Sequence, residues 1–142
     1  MSDTPRFKSR RSIVFVIVFG ALAWASPAFA GTYLNRAVLL LAGASREAAY
    51  LRARLGDKEL ARVTQRVMLA RLEAARSMTV PKEVEQAHPH LLLVLENYEQ
   101  AAEAAVLGES DRFAIYHQRA LDEERAFRAV LKQLGWVLPE AP

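Results

Sequence analysis

Apolar residues recur three and four positions apart in four stretches of the chain, which is the spacing of one face of an α-helix. These stretches cover residues 32–55, 58–78, 81–107 and 111–134. None of them alternates apolar and polar residues as a half-buried strand would. Because only a few residues separate consecutive stretches, we expect neighbouring helices to run antiparallel. The sequence predicts an all-α fold, an up-down-up-down four-helix bundle.

Each predicted helix has one apolar stripe that we expect to face the core. The inward residues are Leu34, Ala37, Leu41, Ala44, Ala48, Leu51 and Leu55 in the first helix, Leu60, Val63, Val67, Ala70, Ala74 and Met78 in the second, Val84, Ala87, Leu91, Val94, Tyr98, Ala101 and Ala105 in the third, and Phe113, Tyr116, Ala120, Phe127, Leu131 and Leu134 in the fourth. The third stripe keeps its phase across Pro89, which favours one kinked helix over two separate ones.

Glycine and aspartate mark the ends of these helices. Gly56, Gly108 and Gly135 stand just after the first, third and fourth stripes. Glycine adopts the left-handed conformation at a helix C-terminus without steric cost, so each is predicted to end a helix. Asp57 is predicted to cap the second helix through its carboxylate.

Residues 1–30 have the three parts of an export signal. Basic residues at the N-terminus precede an apolar stretch from Ile13 to Ala25, which is short for a membrane span. Ala28 and Ala30 supply the small residues that a signal peptidase needs, and we predict cleavage after Ala30. The alternative is that the segment is kept as a membrane anchor. The bundle, residues 31–142, is the single folded domain.

Charge is balanced overall but unevenly divided along the chain. Residues 1–30 hold four basic residues and one acid, so the remainder carries 15 basic and 15 acidic side chains. This neutral balance argues against nucleic-acid binding. Residues 31–80 have a net charge of +5 and residues 81–142 a net charge of −5. The two hairpins either attract each other within one bundle or steer a charged partner.

The chain contains no cysteine. This excludes disulfides, thiol catalysis, covalently attached haem, iron–sulfur clusters and a lipid-anchored N-terminal cysteine. The export signal and the abundance of Ala, Arg and Leu favour a protein of the bacterial envelope, periplasmic or secreted.

Two charged residues stand at the centre of predicted apolar faces. Arg71 lies on the second helix and Glu124 on the fourth, at nearly the same distance from the start of each helix. The second and fourth helices of such a bundle run in the same direction, so we expect a buried ion pair between Arg71 and Glu124. The pair either fixes the register of the bundle or lines, together with His117, a cavity for a small ligand.

The histidines do not form a recognisable metal site. His88 and His90 are two positions apart and therefore point about 200° away from each other on a helix. His117 lies two turns from Glu124. A di-iron bundle needs two Glu-x-x-His motifs and two further carboxylates, and the chain does not contain two such motifs. We expect no metal site.

An exported four-helix chain without cysteine resembles the four-helix cytochromes b of the periplasm. The resemblance is one of architecture and implies haem bound non-covalently by a methionine early in the first helix and a histidine late in the fourth. The first predicted helix has no methionine and the late part of the fourth has no histidine. We therefore expect no cofactor, and haem remains an alternative cargo of the bundle interior.

Two apolar residues point away from the core stripe of the first helix. Leu39 and Tyr50 lie opposite that stripe, within a stretch that is apolar on nearly every side. We expect them to contact a second copy, another envelope protein or the membrane surface. With no catalytic motif, the sequence favours a non-enzymatic protein that acts through protein contacts. The alternatives are a small-ligand or haem carrier and the sensor domain of an anchored protein.

Overall fold

A computed structural model of the chain describes residues 27–141, with side chains from Phe29 onward. The helices are α1 (Pro27–Arg52), α2 (Lys58–Arg76), α3 (His88–Leu107) and α4 (Ser110–Gln133), with a 3₁₀ turn at Lys82–Val84. No strand occurs in this part of the chain. The predicted all-α helical bundle is confirmed. No helix within residues 27–141 has the length and hydropathy needed to span a bilayer.

The third helix lies at the centre of the fold. It packs against α2, α4 and α1, whereas α4 barely approaches either α1 or α2. A helix with neighbours on several sides must be apolar on several sides. The buried residues of α3 accordingly spread around it, as Leu91, Val94, Leu95, Tyr98, Glu99, Ala101, Ala102, Ala104 and Ala105.

Three of the four predicted stripes face the core. All predicted residues of the first stripe except the half-buried Leu55 are buried, and every residue of the third stripe is buried. In α4, the large aromatic side chains Phe113 and Phe127 are fully buried, with Tyr116 and Leu134 half-buried. Helical periodicity therefore identified the inner face of α1, α3 and α4.

The predicted stripe of α2 is wrong. Its buried residues are Ala61, Thr64, Met68, Leu72 and Ala75. The predicted Val63 is 54% exposed, and Ala70 and Ala74 are also exposed. Apolar residues occupy two adjacent faces of this helix, and the period alone does not say which of them is centred on the core. The rotation turns Arg71 toward the edge that α2 shares with α1.

The third α-helix begins at His88, seven residues after the predicted start. Pro89 lies in its first turn, where the missing N–H is harmless and the ring meets no preceding turn. The single kinked helix predicted over residues 81–107 is therefore wrong. The 3₁₀ turn still buries Val84 fully, and Ala87 is buried as well. This explains why the apolar phase survives the break.

Of the three glycines predicted to end helices, one differs from the prediction. Gly108 (φ 78°) and Gly135 (φ 84°) adopt the left-handed conformation, as predicted, but Gly56 does not. Helix α1 ends earlier, at Arg52. The Asp57 cap of α2 is confirmed, because the carboxylate accepts a hydrogen bond of 2.9 Å from the backbone N–H of Leu60.

Helix α1 begins before its predicted start and runs through Ala30, which is buried. The proposed cleavage point after Ala30 therefore lies close to the N-terminal end of this helix. Most of the predicted signal segment, residues 1–26, lies outside the described residues.

Candidate functional site

The Arg71 side chain crosses α1 instead of reaching α4. Its Nη2 lies 2.5 Å from Oε1 of Glu47, and its Nε donates to Oε2 of the same carboxylate at 3.3 Å. The guanidinium lies over Gly43, where an added Cβ would collide with it. The absence of a side chain at Gly43 is therefore what lets Arg71 lie across α1. Both partners are partly exposed, at 23% for Arg71 and 33% for Glu47.

Glu124 pairs within its own helix. Arg128, one turn further along α4, donates to Oε1 of Glu124 from Nη2 at 2.7 Å and from Nε at 3.1 Å. The predicted Arg71–Glu124 ion pair is therefore wrong. The reason is geometric, since α2 and α4 barely approach each other and α2 is rotated from the predicted orientation.

His117 lies among aromatic rings. Its ring stacks on Phe113 with centroids 5.7 Å apart and meets the ring of Tyr98 edge-on at 5.9 Å. Burial, with a smaller contribution from the positive charge of Arg52, lowers the pKa of His117. The neutral imidazole is thus the favoured form. Of the three predicted ligand-binding residues, His117 and Glu124 both influence Tyr98, and Arg71 belongs to a different surface.

Tyr98 was predicted as a core residue, but the sequence did not predict the environment of its hydroxyl group. The side chain is fully buried, and its oxygen has no hydrogen-bond partner of acceptable geometry among the described residues. Burial raises the pKa of Tyr98, the charge of Glu124 raises it further, and the nearby Ser45 hydroxyl opposes the rise. Ser45 is thus close to the phenol oxygen without forming a well-directed bond to it. An uncompensated buried hydroxyl costs about 1–3 kcal/mol.

A groove of about 510 Å³ lies between α1 and α4, and we call it the α1–α4 groove. Ser45 and Glu124, the two residues that perturb Tyr98, both line it. The C-terminal segment 138–141 forms part of its wall. The groove exists because α4 packs on α3 and leaves the adjacent flank of α1 uncovered. It offers mixed polar and apolar walls suited to a small amphipathic molecule.

The remaining histidines make separate contacts, as their spacing predicted. The hydroxyl oxygen of Tyr33 lies 3.0 Å from Nδ1 of His88, and Nδ1 of His90 lies 3.0 Å from Oε2 of Glu123. Burial lowers the pKa of His88. Within residues 27–141, no three potential ligands lie close enough to bind a metal ion.

Leu39 and Tyr50 are exposed, at 55% and 52%. Each also lines an apolar groove along the α1–α2 edge, of about 370 Å³ at Leu39 and about 340 Å³ at Tyr50. The guanidinium of Arg54 lies 3.9 Å from the centre of the Tyr50 ring. The structure thus places both predicted interface residues on an open surface.

Comparison of the chain with models of known protein families, with curated proteins and with solved structures finds no match in any of the three. Functional interpretation therefore depends on the chain's own residues. Two features carry it: the exposed apolar surface of α1 and the α1–α4 groove.

Proposed function

We propose that this is an exported protein of the bacterial envelope that acts through protein contacts, without catalysis, and forms a homodimer across α1. The export signal predicted in residues 1–30 supports the location. The main observation in support of the protein contact is the exposure of Leu39 and Tyr50 on α1. A second copy of the chain is the occupant that we assign to this surface.

The surface has the geometry of a self-complementary contact. We define the α1 stripe as Leu39, Gly43, Arg46 and Tyr50. Leu39 and Tyr50 are 11 residues apart, close to three helical turns, so they share one face about 16 Å apart along the axis. In an antiparallel pair of α1 helices, Leu39 of each copy meets Tyr50 of the other. Gly43 lies between them and is covered by the guanidinium of Arg71, so the contact is carried by the two outer side chains, Leu39 and Tyr50.

Arg46 lies on the same face and forms no ion pair within residues 27–141, while Glu47 next to it is held by Arg71. With the two-fold axis passing between residues 44 and 45, Arg46 of one copy lies about 4.5 Å along the helix axis from Arg46 of the other and about 6 Å from its Glu47. The two guanidinium groups must therefore turn toward solvent, and the apolar residues carry the contact. A two-fold dimer is also the commonest form of soluble homo-oligomer.

Sedimentation equilibrium of the purified protein tests the dimer. We expect Leu39→Asp to weaken self-association more than about tenfold, since a desolvated aspartate would replace a central apolar contact. Ile115→Asp is the matched control, because Ile115 is 50% exposed on α4 and lies away from the α1 stripe. A monomeric wild-type protein, or a dimer that survives Leu39→Asp, would refute the assignment.

Engineered cysteines test the antiparallel orientation, because the natural chain has none. The double variant L39C/Y50C should form disulfide-linked dimers on mild oxidation, since a disulfide needs Cα atoms within about 7 Å. The single variant L39C should not, because its two copies would lie about 16 Å apart along the axis. Efficient cross-linking of the single variant would indicate a parallel dimer instead.

Export is tested by expressing the chain with its own N-terminus in a bacterial host and fractionating the cells. We expect the protein in the periplasmic fraction with an intact mass that corresponds to residues 31–142. A membrane fraction that holds the unprocessed chain would support the anchored sensor domain instead.

A further inference from the structure

The groove of about 370 Å³ at Leu39 lies between α1 and α2 and has two arginines on its walls, so we call it the arginine groove. Its volume lies within the range of pockets that hold small ligands. Among the described residues, none that lines it is acidic, whereas Glu124 and Glu140 both line the α1–α4 groove. The arginine groove is lined by Arg36 and Arg71 together with the apolar Leu39, Leu40, Ala74 and Met78.

Arg36 supplies the free positive charge of this groove. Its side chain is exposed and forms no ion pair within residues 27–141. A guanidinium presents its N–H donors as a planar fork, which binds a carboxylate through two parallel hydrogen bonds. An adjoining groove of about 250 Å³ shares Arg36 and Met78 with the first. Arg36 is therefore placed to receive an anion at the junction of the two.

Arg71 contributes its alkyl stem more than its charge. Its guanidinium is neutralised by two hydrogen bonds to the carboxylate of Glu47 and is held over Gly43. The methylene groups of an arginine cover apolar surface while its head group is bonded elsewhere. Gly43 lies seven residues beyond Arg36 on α1, about 10 Å along the axis. The groove thus has one uncompensated positive charge, followed by apolar surface for about that length.

We propose that the arginine groove binds a medium-chain fatty acid, with its carboxylate on Arg36 and its alkyl chain running along Leu39, Leu40 and Ala74 toward Arg71. With C–C bonds of about 1.5 Å, an extended chain of about eight carbons covers about 9 Å, which matches the apolar length of the groove. One free guanidinium selects a single negative charge. No lining carboxylate repels it.

This site does not depend on the proposed dimer, although Leu39 belongs to both surfaces. A bound fatty acid and a second copy of the chain compete for Leu39. Tyr50 lines a different groove, so Tyr50→Asp weakens the dimer contact without changing the arginine groove. We expect octanoate to bind the Tyr50→Asp variant at least as tightly as the wild-type protein, whatever the oligomeric state of the latter. Loss of binding in this variant would overturn the site.

NMR titration of the isotope-labelled protein at neutral pH tests the site, with octanoate, hexanoate and the cationic octylamine as probes. We expect octanoate to shift the amide signals of residues 36–40 and 74–78 saturably, and octylamine to leave them unchanged. Hexanoate should bind at least about fourfold more weakly, because it lacks two of the methylene groups that contact the apolar wall. Octanoate shifts confined to other parts of the chain, or equal binding of octanoate and octylamine, would overturn the proposal.

A lipid bilayer is the competing occupant of an apolar surface with exposed arginines. Vesicles of phosphatidylglycerol, sedimented with the protein, separate the two. We expect octanoate to bind in the absence of vesicles. Cosedimentation with vesicles in a protein that shows no octanoate shifts would assign the surface to a bilayer and overturn the proposal.

Two pairs of variants locate the ligand. We expect Arg36→Gln to weaken octanoate binding about fivefold, the effect of losing an exposed charge pair. Arg62→Gln is the matched control, since Arg62 is also exposed and unpaired within residues 27–141 and lies outside the groove. Ala74→Glu places an acid in the wall and should abolish binding, whereas Ala70→Glu, at an exposed position outside the groove, should not. Equal binding within either pair, with all variants shown by circular dichroism to be folded, would overturn the site.

Discussion

The hydroxyl group of Tyr98 gives the sharpest test of the packing, because its structural environment predicts the sign of a stability change. Replacing Tyr98 with Phe removes one oxygen atom and keeps the buried ring with its edge-on contact to His117. When a buried tyrosine hydroxyl has a good hydrogen bond, this change destabilises the folded protein, whereas when the hydroxyl has no partner the change stabilises it. The sign of the change therefore reports whether the hydroxyl is bonded.

The expected magnitude follows from two opposing terms. Removal of an unpartnered buried hydroxyl recovers about 1–3 kcal/mol of desolvation cost. The void left by a single oxygen atom costs a few tenths of a kcal/mol, at about 24 cal/mol per Å³. We expect Tyr98→Phe to raise the free energy of unfolding by about 1 kcal/mol. For a domain of this length that corresponds to an increase of about 4 °C in Tm.

Urea unfolding followed by circular dichroism measures the change. An unchanged m-value with a higher midpoint is the expected result. Ser45→Ala is the companion variant, and it should have little effect if its hydroxyl does not bond Tyr98. If Tyr98→Phe and Ser45→Ala each cost about 1 kcal/mol without adding in the double variant, the two hydroxyls form a hydrogen bond and the reasoning fails.

Three further outcomes follow from the described residues. Gly43→Ala should change the free energy of unfolding in urea by less than about 1 kcal/mol, because the gain in helix propensity is offset by displacing the flexible Arg71 guanidinium that lies over Gly43. A loss above about 2 kcal/mol would contradict this. Gly108→Ala should cost about 1–2 kcal/mol because of its left-handed backbone, and Gly56→Ala, which lacks that conformation, should cost nothing measurable in the same assay. Burial lowers the pKa of His88 and of His117 below 6.5, so the unfolded chain takes up protons first as the pH falls. Stability should therefore decrease from about pH 7.5 to about pH 5.5, and a variant with glutamine at both positions should lose much of this slope.

Much of the fold could be predicted because helix formation depends on neighbours three and four residues away. The apolar spacing of the third stripe, from Val84 to Ala105, matched its burial fully. The left-handed Gly108 and the Asp57 cap were predicted for the same reason, since each acts within one turn of its own helix. Pro89 was misjudged because the 3₁₀ turn before it preserves the apolar phase without preserving the helix.

The candidate site was only partly predictable. Leu39 and Tyr50 were identified because exposure opposite a core stripe follows from the period of one helix. The partner of Arg71 was not, because Glu47 and Gly43 belong to another helix and their approach depends on how α2 is rotated.

What the sequence alone determined is therefore the set of helices, most of their inner faces and the outward position of Leu39 and Tyr50. Only the tertiary structure decided that α3 is central and that α4 leaves one flank of α1 open as the α1–α4 groove. Periodicity is a property of one helix at a time. The packing of all the helices together decides which of them become neighbours and which of two apolar faces of a helix points to the core.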